Sequence, residues 1–299
     1  MSRGGESSRV KAAARSLRTV RTVGAVREAV SEWRAAGESV AFVPTMGNLH
    51  AGHLSLTQLV AEPRTRVLMS IFVNPTQFGP GEDFAAYPRT LGEDTAQVAA
   101  AGTVDLLFVP DATEIYPFGL NAAARVSLPE IGREFEGASR PGHFDGVASV
   151  VARLLNIVTP DVLVLGQKDY QQFILIQRMI ADLHMPVLLR MGPTQREPDG
   201  LAMSSRNRYL DRDERSRAPQ LQAALARVRD ALRGGATNFV ELGAAASKDL
   251  ERAGFKPDYV EVRRAADLAV PNAGDAAEAR VVVGAAWLGR ARLIDSLLV

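Results

Sequence analysis

The chain has 299 residues, of which 46% are hydrophobic, so it is long enough for one large or two smaller domains with a buried core. Its 35 basic and 34 acidic side chains give a formal net charge of +1, which gives no reason to expect a nucleic-acid or membrane partner. The absence of cysteine excludes disulfides, thiolate nucleophiles and cysteine-ligated zinc, and it fits a reducing cytoplasm.

The first 17 residues differ in composition from the rest of the chain. They are rich in Arg, Ser, Gly and Ala, and they lack the apolar stretch that a secretory signal needs. We therefore expect residues 1–17 to form a disordered tail. No apolar run reaches the length of a membrane span, so we expect no membrane-spanning segment.

Short apolar segments alternate with helical patterns over the first two-thirds of the chain. Strands are predicted at 39–44, 66–73, 104–110, 161–165 and 186–191. Helices are predicted up to about residue 61, at 90–101, from a cap at Asp145 onward, and at 168–183. This alternation predicts an α/β fold, with a Rossmann-like, doubly wound parallel sheet at residues 18–192 that is covered on both faces.

The pattern changes near Pro193. The segment 196–208 is polar and rich in turn residues. Helices are predicted at 213–233 and 237–253, and short strands at 259–263, 279–283 and 291–294. Helices followed by closely spaced strands predict a smaller α+β domain at 193–299, which we expect to act as a lid.

Polar segments follow three of the predicted strands. Their sequences are PTMGNLHAGH, NPTQFGPGEDF and GQKDYQQ. Because open α/β sheets bind ligands beyond the carboxyl ends of their strands, these segments are the first candidates for a functional site.

The first segment contains His50 and His53 on either side of Gly52. A helix is predicted to begin here, so its free N–H groups and both imidazoles can donate to phosphate oxygens. The spacing is not the i, i+4 pattern of zinc enzymes, and no third ligand is close in sequence. Two surface or capping histidines are the alternative interpretation.

The other two segments carry amide and charged side chains. Asn74 and Gln77 can hold a polar, uncharged substrate, although a proline turn capped by Asn explains them equally well. Lys168 opens a predicted helix against the preference of the dipole, which often marks a phosphate site. Asp169 suits a helix start and can bind a ribose hydroxyl. An exposed helix terminus is the alternative.

Two further groups lie outside these segments. The sequence MSSRN at 203–207 offers hydroxyls and a guanidinium for a mobile phosphate clamp, with an interdomain linker as the alternative. Glu93 and Asp94, with Gln97 one turn on, can bind Mg²⁺, although acidic residues are also typical of an ordinary first helical turn.

Three common enzyme motifs are absent from the sequence: the Walker A loop, the G-x-G-x-x-G fingerprint and the G-x-S-x-G elbow. Their absence disfavours P-loop kinases, NAD-dependent dehydrogenases and α/β-hydrolases.

Taken together and in order, the segments resemble the pantothenate synthetase family, the AMP-forming pantoate–β-alanine ligases. The matching stretches are VPTMGNLHAGHLSL, IFVNPTQFGPGEDFAAYPRT, SRPGHFDGVASVV, VLVLGQKDYQQF, PTQREPDGLAMSSRNRYL and ARLIDS. HAGH and MSSRN correspond to the HIGH-like and KMSKS-like motifs of the wider nucleotidylyltransferase superfamily.

The resemblance implies a two-step reaction. Pantoate attacks the α-phosphate of Mg-ATP to give pantoyl adenylate and pyrophosphate, and β-alanine then displaces AMP to give pantothenate. It also implies a cytoplasmic homodimer with no nucleic-acid or membrane partner.

The resemblance also implies residue roles. The catalytic and phosphate-binding residues are His50, His53, Lys168, Ser204, Ser205 and Arg206. ATP also contacts Met46, Gly166 and Asp169; pantoate contacts Asn74, Gln77 and Gln172; Mg²⁺ lies near Glu93, Asp94 and Gln97; and Tyr87 and Arg140 lie on a covering loop.

Three positions depart from the family pattern. Ala51 and Gln167 stand where Glu is common, and Pro198 replaces a residue that is often small. The first two changes make the surroundings of the phosphates less negative, and Pro198 stiffens the approach to the clamp.

Two other functions stay open. One is a different HIGH-motif nucleotidylyltransferase that acts on a phosphate-bearing acceptor, which NPTQ and KDYQQ disfavour because they offer few cations. The other is a non-catalytic nucleotide-binding protein, which the retained histidines, Lys168 and Arg206 disfavour.

Overall fold

The computed structural model describes residues 16–299 with the exception of 80, 83, 129 and 273. Six strands form one sheet: β1 (Arg18–Val20), β2 (Ser39–Thr45), β3 (Thr65–Ile71), β4 (Leu106–Phe108), β5 (Val162–Gly166) and β6 (Leu188–Gly192). The helices of this part are α1 (Val23–Ala35), α2 (Ala51–Gln58), α3 (Leu91–Ala101), α4 (Ala112–Ile115), α5 (Glu136–Ser139), α6 (His143–Val158) and α7 (Tyr170–Asp182).

The order of the strands decides where a ligand can bind. The sheet order is β1-β4-β3-β2-β5-β6, and every neighbouring pair is parallel. The chain builds from β2 toward β4 on one side and from β5 to β6 on the other, so the winding reverses between β2 and β5. Ligands of such sheets bind at this switch point, beyond the carboxyl ends of the strands. The loops that leave β2 and β5 carry HAGH and GQKDYQQ.

Both faces of the sheet are buried. On β2, Val40 and Phe42 pack into the core formed with α1, α6 and α7, whereas Ala41 and Val43 pack into the core formed with α2 and α3. Successive side chains of a strand point to opposite faces, so a continuous apolar run fits a strand that is covered on both sides. The predicted doubly wound sheet is confirmed.

The C-terminal part has its own sheet and core. Its elements are α8 (Arg212–Arg217), α9 (Gln220–Arg233), α10 (Phe239–Arg252), β7 (Lys256–Arg264), β8 (Arg280–Leu288) and β9 (Ala291–Leu298). The strands form an antiparallel sheet in the order β7-β8-β9, and α9 and α10 contribute to the same apolar core. The smaller α+β unit is therefore confirmed. The boundary predicted between residues 192 and 193 falls directly after β6 and stays a prediction.

Three local predictions are wrong. The helix predicted at 213–233 is divided between α8 and α9 because Pro219 cannot donate a helical hydrogen bond and clashes with the preceding turn. Asp145 does not cap α6, since the N-cap is Gly142, at a φ of 82°, and Asp145 instead accepts a hydrogen bond from Ser127 (2.9 Å). Lys168 does not open α7 but lies in a 3₁₀ turn, Gln167–Asp169, before it.

Two further predictions concern the ends of the chain and membranes. Residues 1–15 of the predicted tail lie outside the described residues, and the sheet begins with Arg18. Among the helices of the described residues, none is both long and apolar enough to cross a membrane.

Candidate active site

His50 and His53 stack at the start of α2, with their ring centroids 4.0 Å apart. The Nδ1 atom of His50 accepts from the backbone N–H of Gly52 (3.2 Å), and that of His53 accepts from the backbone N–H of His50 (3.3 Å). A neutral imidazole has one donor and one acceptor nitrogen, so both rings carry their proton on Nε2. Each ring therefore presents an N–H donor that no described residue occupies.

The surroundings keep both rings neutral. Burial and, to a smaller extent, the charge of Lys168 lower the pKa of His50 from 6.5 to about 4, although Asp169 acts in the opposite direction. Burial, His50 and Lys168 together hold the pKa of His53 well below its usual value. Lys168 thus acts electrostatically on both rings, although it leaves β5 and they leave β2. This meeting at the switch point is the one that the strand order predicts.

Gly52 leaves room for this stack. A side chain there would meet Nδ1 of His50 at 2.8 Å and Cβ of Gln195 at 3.7 Å. The second contact means that the polar segment after β6 packs against the first turn of α2.

The side chain of Asp94 supports the loop before His50. Its carboxylate is 1% exposed and accepts from the backbone N–H groups of Asn48 (2.9 Å) and Leu49 (2.7 Å) and from the hydroxyl of Thr90 (3.2 Å). Asn48 adopts φ 51°, a left-handed conformation that Asn tolerates. Asp94 therefore fixes the turn that leads into HAGH.

This use of Asp94 does not fit the predicted metal site. Its oxygens are committed to the loop, Glu93 is exposed, and the amide of Gln97 approaches the carbonyl of Leu49 at 3.5 Å. Among the described residues, no group of three or more His, Asp or Glu side chains could hold a metal ion. The metal-binding roles of Glu93, Asp94 and Gln97 stay predictions, and the contact that the structure shows for Asp94 is with the loop before His50.

The turn after β3 is a 3₁₀ turn, Pro75–Gln77, that Asn74 caps. Asn74 is 1% exposed; its Nδ2 donates to Gln77 (3.1 Å) and to the carbonyl of Gly146 (3.2 Å), and its Oδ1 accepts from Tyr116 (2.7 Å). Both ends of the amide are engaged within the protein, so Asn74 orients Gln77. The Nε2 atom of Gln77 lies 3.0 Å from the sulfur of Met46, which brings together the loops after β2 and β3.

Arg140, just before α6, is joined to the segment that follows the Pro75–Gln77 turn. Arg140 forms a paired contact with Glu82 (2.5 and 2.9 Å) and also donates to the carbonyl of Gln77 (3.4 Å). Arg140 lowers the pKa of Glu82, which keeps the carboxylate charged. A ring nitrogen of His143 lies 2.8 Å from the same Gln77 carbonyl. Tyr87 is buried and packs edge-on against Phe78, with centroids 5.7 Å apart.

The MSSRN segment follows a short hairpin in which Arg196 pairs with Ala202. Ser204 then caps a 3₁₀ turn, Ser205–Tyr209, and its hydroxyl accepts from the backbone N–H of Arg206 (3.2 Å). The guanidinium of Arg206 forms no ion pair with any residue that the structure describes. The cation is therefore available to an anionic ligand.

A cleft of about 590 Å³ lies between the two sheets. Of the predicted site residues, it is lined by Lys168, Asp169, Gln172, Ser204, Arg206 and Arg140. The remaining predicted residues do not line it: His50, His53, Met46, Asn74, Gln77, Gly166, Ser205, Tyr87, Glu93, Asp94 and Gln97. Lys168 joins the two groups, because it lines the cleft and lowers the pKa of both histidines.

Comparison with known proteins shows the family to which the chain belongs. A family model described as pantoate-beta-alanine ligase matches residues 18–298. The chain belongs to the pantoate–β-alanine ligase family. The resemblance inferred from the motifs is thereby confirmed.

Individual members of this family are similar over nearly the whole chain. The pantothenate synthetase of Thioalkalivibrio sulfidiphilus is 52% identical over 94% of this chain and 97% of its own length. The crystal structure of pantothenate synthetase from Thermus thermophilus has a TM-score of 0.83 at 44% identity, covering 94% of this chain and 99% of its own. The pantoate-beta-alanine ligase of Francisella tularensis, complexed with beta-gamma ATP and beta-alanine, has a TM-score of 0.74 at 33% identity, covering 95% and 98%.

Several residues of the cleft were not predicted for this family member. Tyr259 and Arg292 come from the C-terminal sheet and both reach Glu136 of α5 (2.9 and 2.5 Å). Asp295 and Ser296 lie at the end of ARLIDS, a matching stretch from which the resemblance implies no residue role. These residues are far from the other motifs along the chain, so no local sequence pattern connects them with the site.

Proposed function

We propose that this chain condenses pantoate with β-alanine to form pantothenate, with ATP as the energy source and pantoyl adenylate as an enzyme-bound intermediate. The observation that carries the proposal is the meeting of two neutral imidazoles with Lys168 at the switch point of the sheet. The family to which the chain belongs supports the choice of substrates.

In the first step, a carboxylate oxygen of pantoate attacks the α-phosphorus of ATP, and the bond to the bridging oxygen breaks to release pyrophosphate. Negative charge grows on the phosphate oxygens during this exchange. The Nε2–H groups of His50 and His53 donate to those oxygens, and Lys168 supplies positive charge beside them. Donors that are held in place before the reaction need no reorganisation as the charge develops.

In the second step, the amine of β-alanine attacks the acyl carbon, AMP leaves with the carboxyl oxygen, and the amine loses a proton. No protein nucleophile is needed, so positioning and charge stabilisation account for the catalysis. Neutral histidines suit this role because a protonated pair stacked at 4.0 Å beside a lysine would be strongly repelled.

The remaining residues divide between the substrates. Ser204, Ser205 and Arg206 close on the phosphates, Met46 borders the reacting carboxylate, and Gly166 and Asp169 hold the ribose. Gln77 and Gln172 bind the polar groups of pantoate, with Asn74 orienting Gln77. Residues 193–299 act as a lid, supported by the contacts of Tyr170 with the carbonyl of Ala265 (2.9 Å) and of Tyr259 with Glu136 (2.9 Å).

Magnesium enters this proposal as part of the Mg-ATP substrate, since Asp94 is committed to the loop. The homodimer and the cytoplasmic location that the resemblance implies also belong to the proposal. Sedimentation of the purified protein tests the first, and fractionation of cells that express it tests the second.

The deciding experiment mixes the protein with ATP, Mg²⁺ and pantoate and follows pyrophosphate with and without β-alanine. We expect a single-turnover burst without the amine and steady formation of AMP and pantothenate with it. A His53→Gln variant should lose the burst, whereas His184→Gln, which changes an exposed histidine after α7, should keep it. Nucleotide binding without any pyrophosphate release from pantoate would refute the substrate assignment and favour another acid or a non-catalytic role.

A further inference from the structure

Strand β9 contains two consecutive buried polar residues, Asp295 and Ser296, which are 4% and 1% exposed. Each contacts a residue that precedes one of the two groups of proposed phosphate-binding residues. One group is the MSSRN segment after β6, and the other is Lys168 after β5; these are the two halves of the proposed phosphate clamp. Polar groups are costly to bury unless they are bonded, so their partners indicate what the pair does.

Asp295 holds the half of the clamp that follows β6. Its carboxylate receives both terminal nitrogens of Arg196, at 2.6 and 3.0 Å. Arg196 also donates to the carbonyl of Gly200 (3.1 Å) and pairs with Ala202 across the hairpin. The hairpin closes with a hydrogen bond from the backbone N–H of Met203, the residue before Ser204, to the carbonyl of Gln195 (3.0 Å). A two-point contact at Arg196 therefore fixes the hairpin from which the clamp emerges.

Ser296 holds the other half. Its hydroxyl donates to the backbone carbonyl of Gln167 (2.8 Å), the residue directly before Lys168. Its backbone N–H donates to the Oδ1 atom of Asp295 (2.8 Å), which helps to orient that carboxylate. The bond to Gln167 joins the C-terminal sheet to the loop after β5 and sets where Lys168 leaves that loop.

Stability alone explains the arrangement poorly. An ion pair in which one partner is buried, as Asp295 is here, contributes little net stability, because the cost of desolvation offsets the attraction. Such pairs give directional constraint instead, and here the ion pair constrains the hairpin that precedes Arg206, while Ser296 constrains the loop that carries Lys168.

We propose that Asp295 and Ser296 are a positioning pair that holds Lys168 and Arg206 at the separation that adenylation requires. The inference rests on the proposed function, because it assumes that these cations act on the phosphates. Neither residue touches substrate in this role. Ser296 acts through Lys168, and Asp295 acts through the hairpin and Arg206.

The test measures single-turnover pyrophosphate release from ATP and pantoate in full-length Ser296→Ala and Asp295→Asn. We expect each change to slow release about five- to tenfold, in proportion to the loss of one or two positioning hydrogen bonds, with the KM for pantoate unchanged. Ser216→Ala and Asp249→Asn are the matched controls. They remove an exposed hydroxyl–carbonyl bond and the two surface ion pairs of Asp249, with Arg227 and Arg252, and should match wild type.

A double-mutant cycle separates positioning from a loss of folding. In a Lys168→Ala background, Ser296→Ala should slow release no further, because the cation through which it acts is gone. If Ser296 only supported folding, the change would slow release by the same factor in both backgrounds. That result, or a Ser296→Ala protein with wild-type rates, would overturn the inference. Thermal unfolding of each variant shows whether Asp295→Asn folds, and Ser296→Ala decides the question if it does not.

The same experiment distinguishes the two proposals. If wild-type protein releases no pyrophosphate, the proposed function is wrong and the positioning role falls with it. If wild type releases pyrophosphate and the variants do so at the same rate, only the positioning role is refuted.

Discussion

Gly146, in the first turns of α6, is the position at which a single methyl group should most directly disturb the proposed pantoate site. A Cβ atom at this residue would lie 2.3 Å from the carbonyl oxygen of Thr76 and 2.7 Å from Cα of Gln77. Ordinary contact begins near 3.4 Å, so a Gly146→Ala change must move the turn by about 1.1 Å. The displaced turn is the one that Asn74 ties to Gly146 and that carries Gln77.

A displacement of about 1 Å at a reacting group can cost on the order of 10²-fold in rate, and an overpacked site costs about 1–3 kcal/mol of stability. We therefore expect kcat/KM for pantoate to fall on the order of 10²-fold in Gly146→Ala. The KM for ATP should change far less, because the histidines and Lys168 lie on other loops. The assay is pyrophosphate release with pantoate and ATP varied in turn, beside thermal unfolding.

Gly24 provides the control. It is also a helical glycine, in α1, but a Cβ there meets nothing within 4 Å, so Gly24→Ala should leave activity unchanged and stabilise slightly. A folded Gly146→Ala protein with wild-type pantoate kinetics would refute the argument that α6 fixes the turn. An equal loss with both substrates would show that the damage is general.

Three further predictions concern the histidines and the covering loop. Gly52→Ala should push the His50 ring aside, because its Cβ would lie 2.8 Å from Nδ1, and should slow pyrophosphate release on the order of 10²-fold; normal release would show that the ring position is not critical. Between pH 6.5 and about 4 the unfolded chain binds a proton at His50 that the folded protein does not, so stability should fall as the pH drops through this range. A His50→Gln variant should show a shallower decline in Tm over that range, and an unchanged slope would contradict the lowered pKa. Arg140→Gln should release the loop held by Glu82 and raise the KM for pantoate with little change in Tm, whereas a large fall in Tm would assign the pair a role in folding.

The general architecture could be predicted from the sequence because local periodicity encodes it. Continuous apolar strands such as β2 and β3 are readable as buried on both faces, and the family recognised from the ordered motifs is confirmed. The sequence analysis does not predict β1 or α1. For β1 the reason is its length, since three residues, two of them exposed, give too little pattern to identify a strand. The sequence predicts a helix at Lys168 because a 3₁₀ turn has nearly the same local signature as a first helical turn.

The roles of individual side chains were harder to predict than the loops that carry them. The sequence pattern shows two acidic residues at a helix start, which suits a metal or a helix cap, but only the fold brings the backbone N–H groups of Asn48 and Leu49 to Asp94. Asp295 contacts a residue 99 positions earlier in the chain, and no local pattern reports such a contact.

Lys168 and Arg206 line the same cleft, and the two neutral histidines that Lys168 influences add no positive charge beside it. Asp169 meets Lys168 at 3.4 Å, whereas Arg206 forms no ion pair with any described residue. We therefore expect the triphosphate to balance the charge of Arg206 and to draw the segment that carries it toward Lys168. Under the proposed function, release of pyrophosphate removes much of that negative charge, so the same segment should loosen before the amine enters.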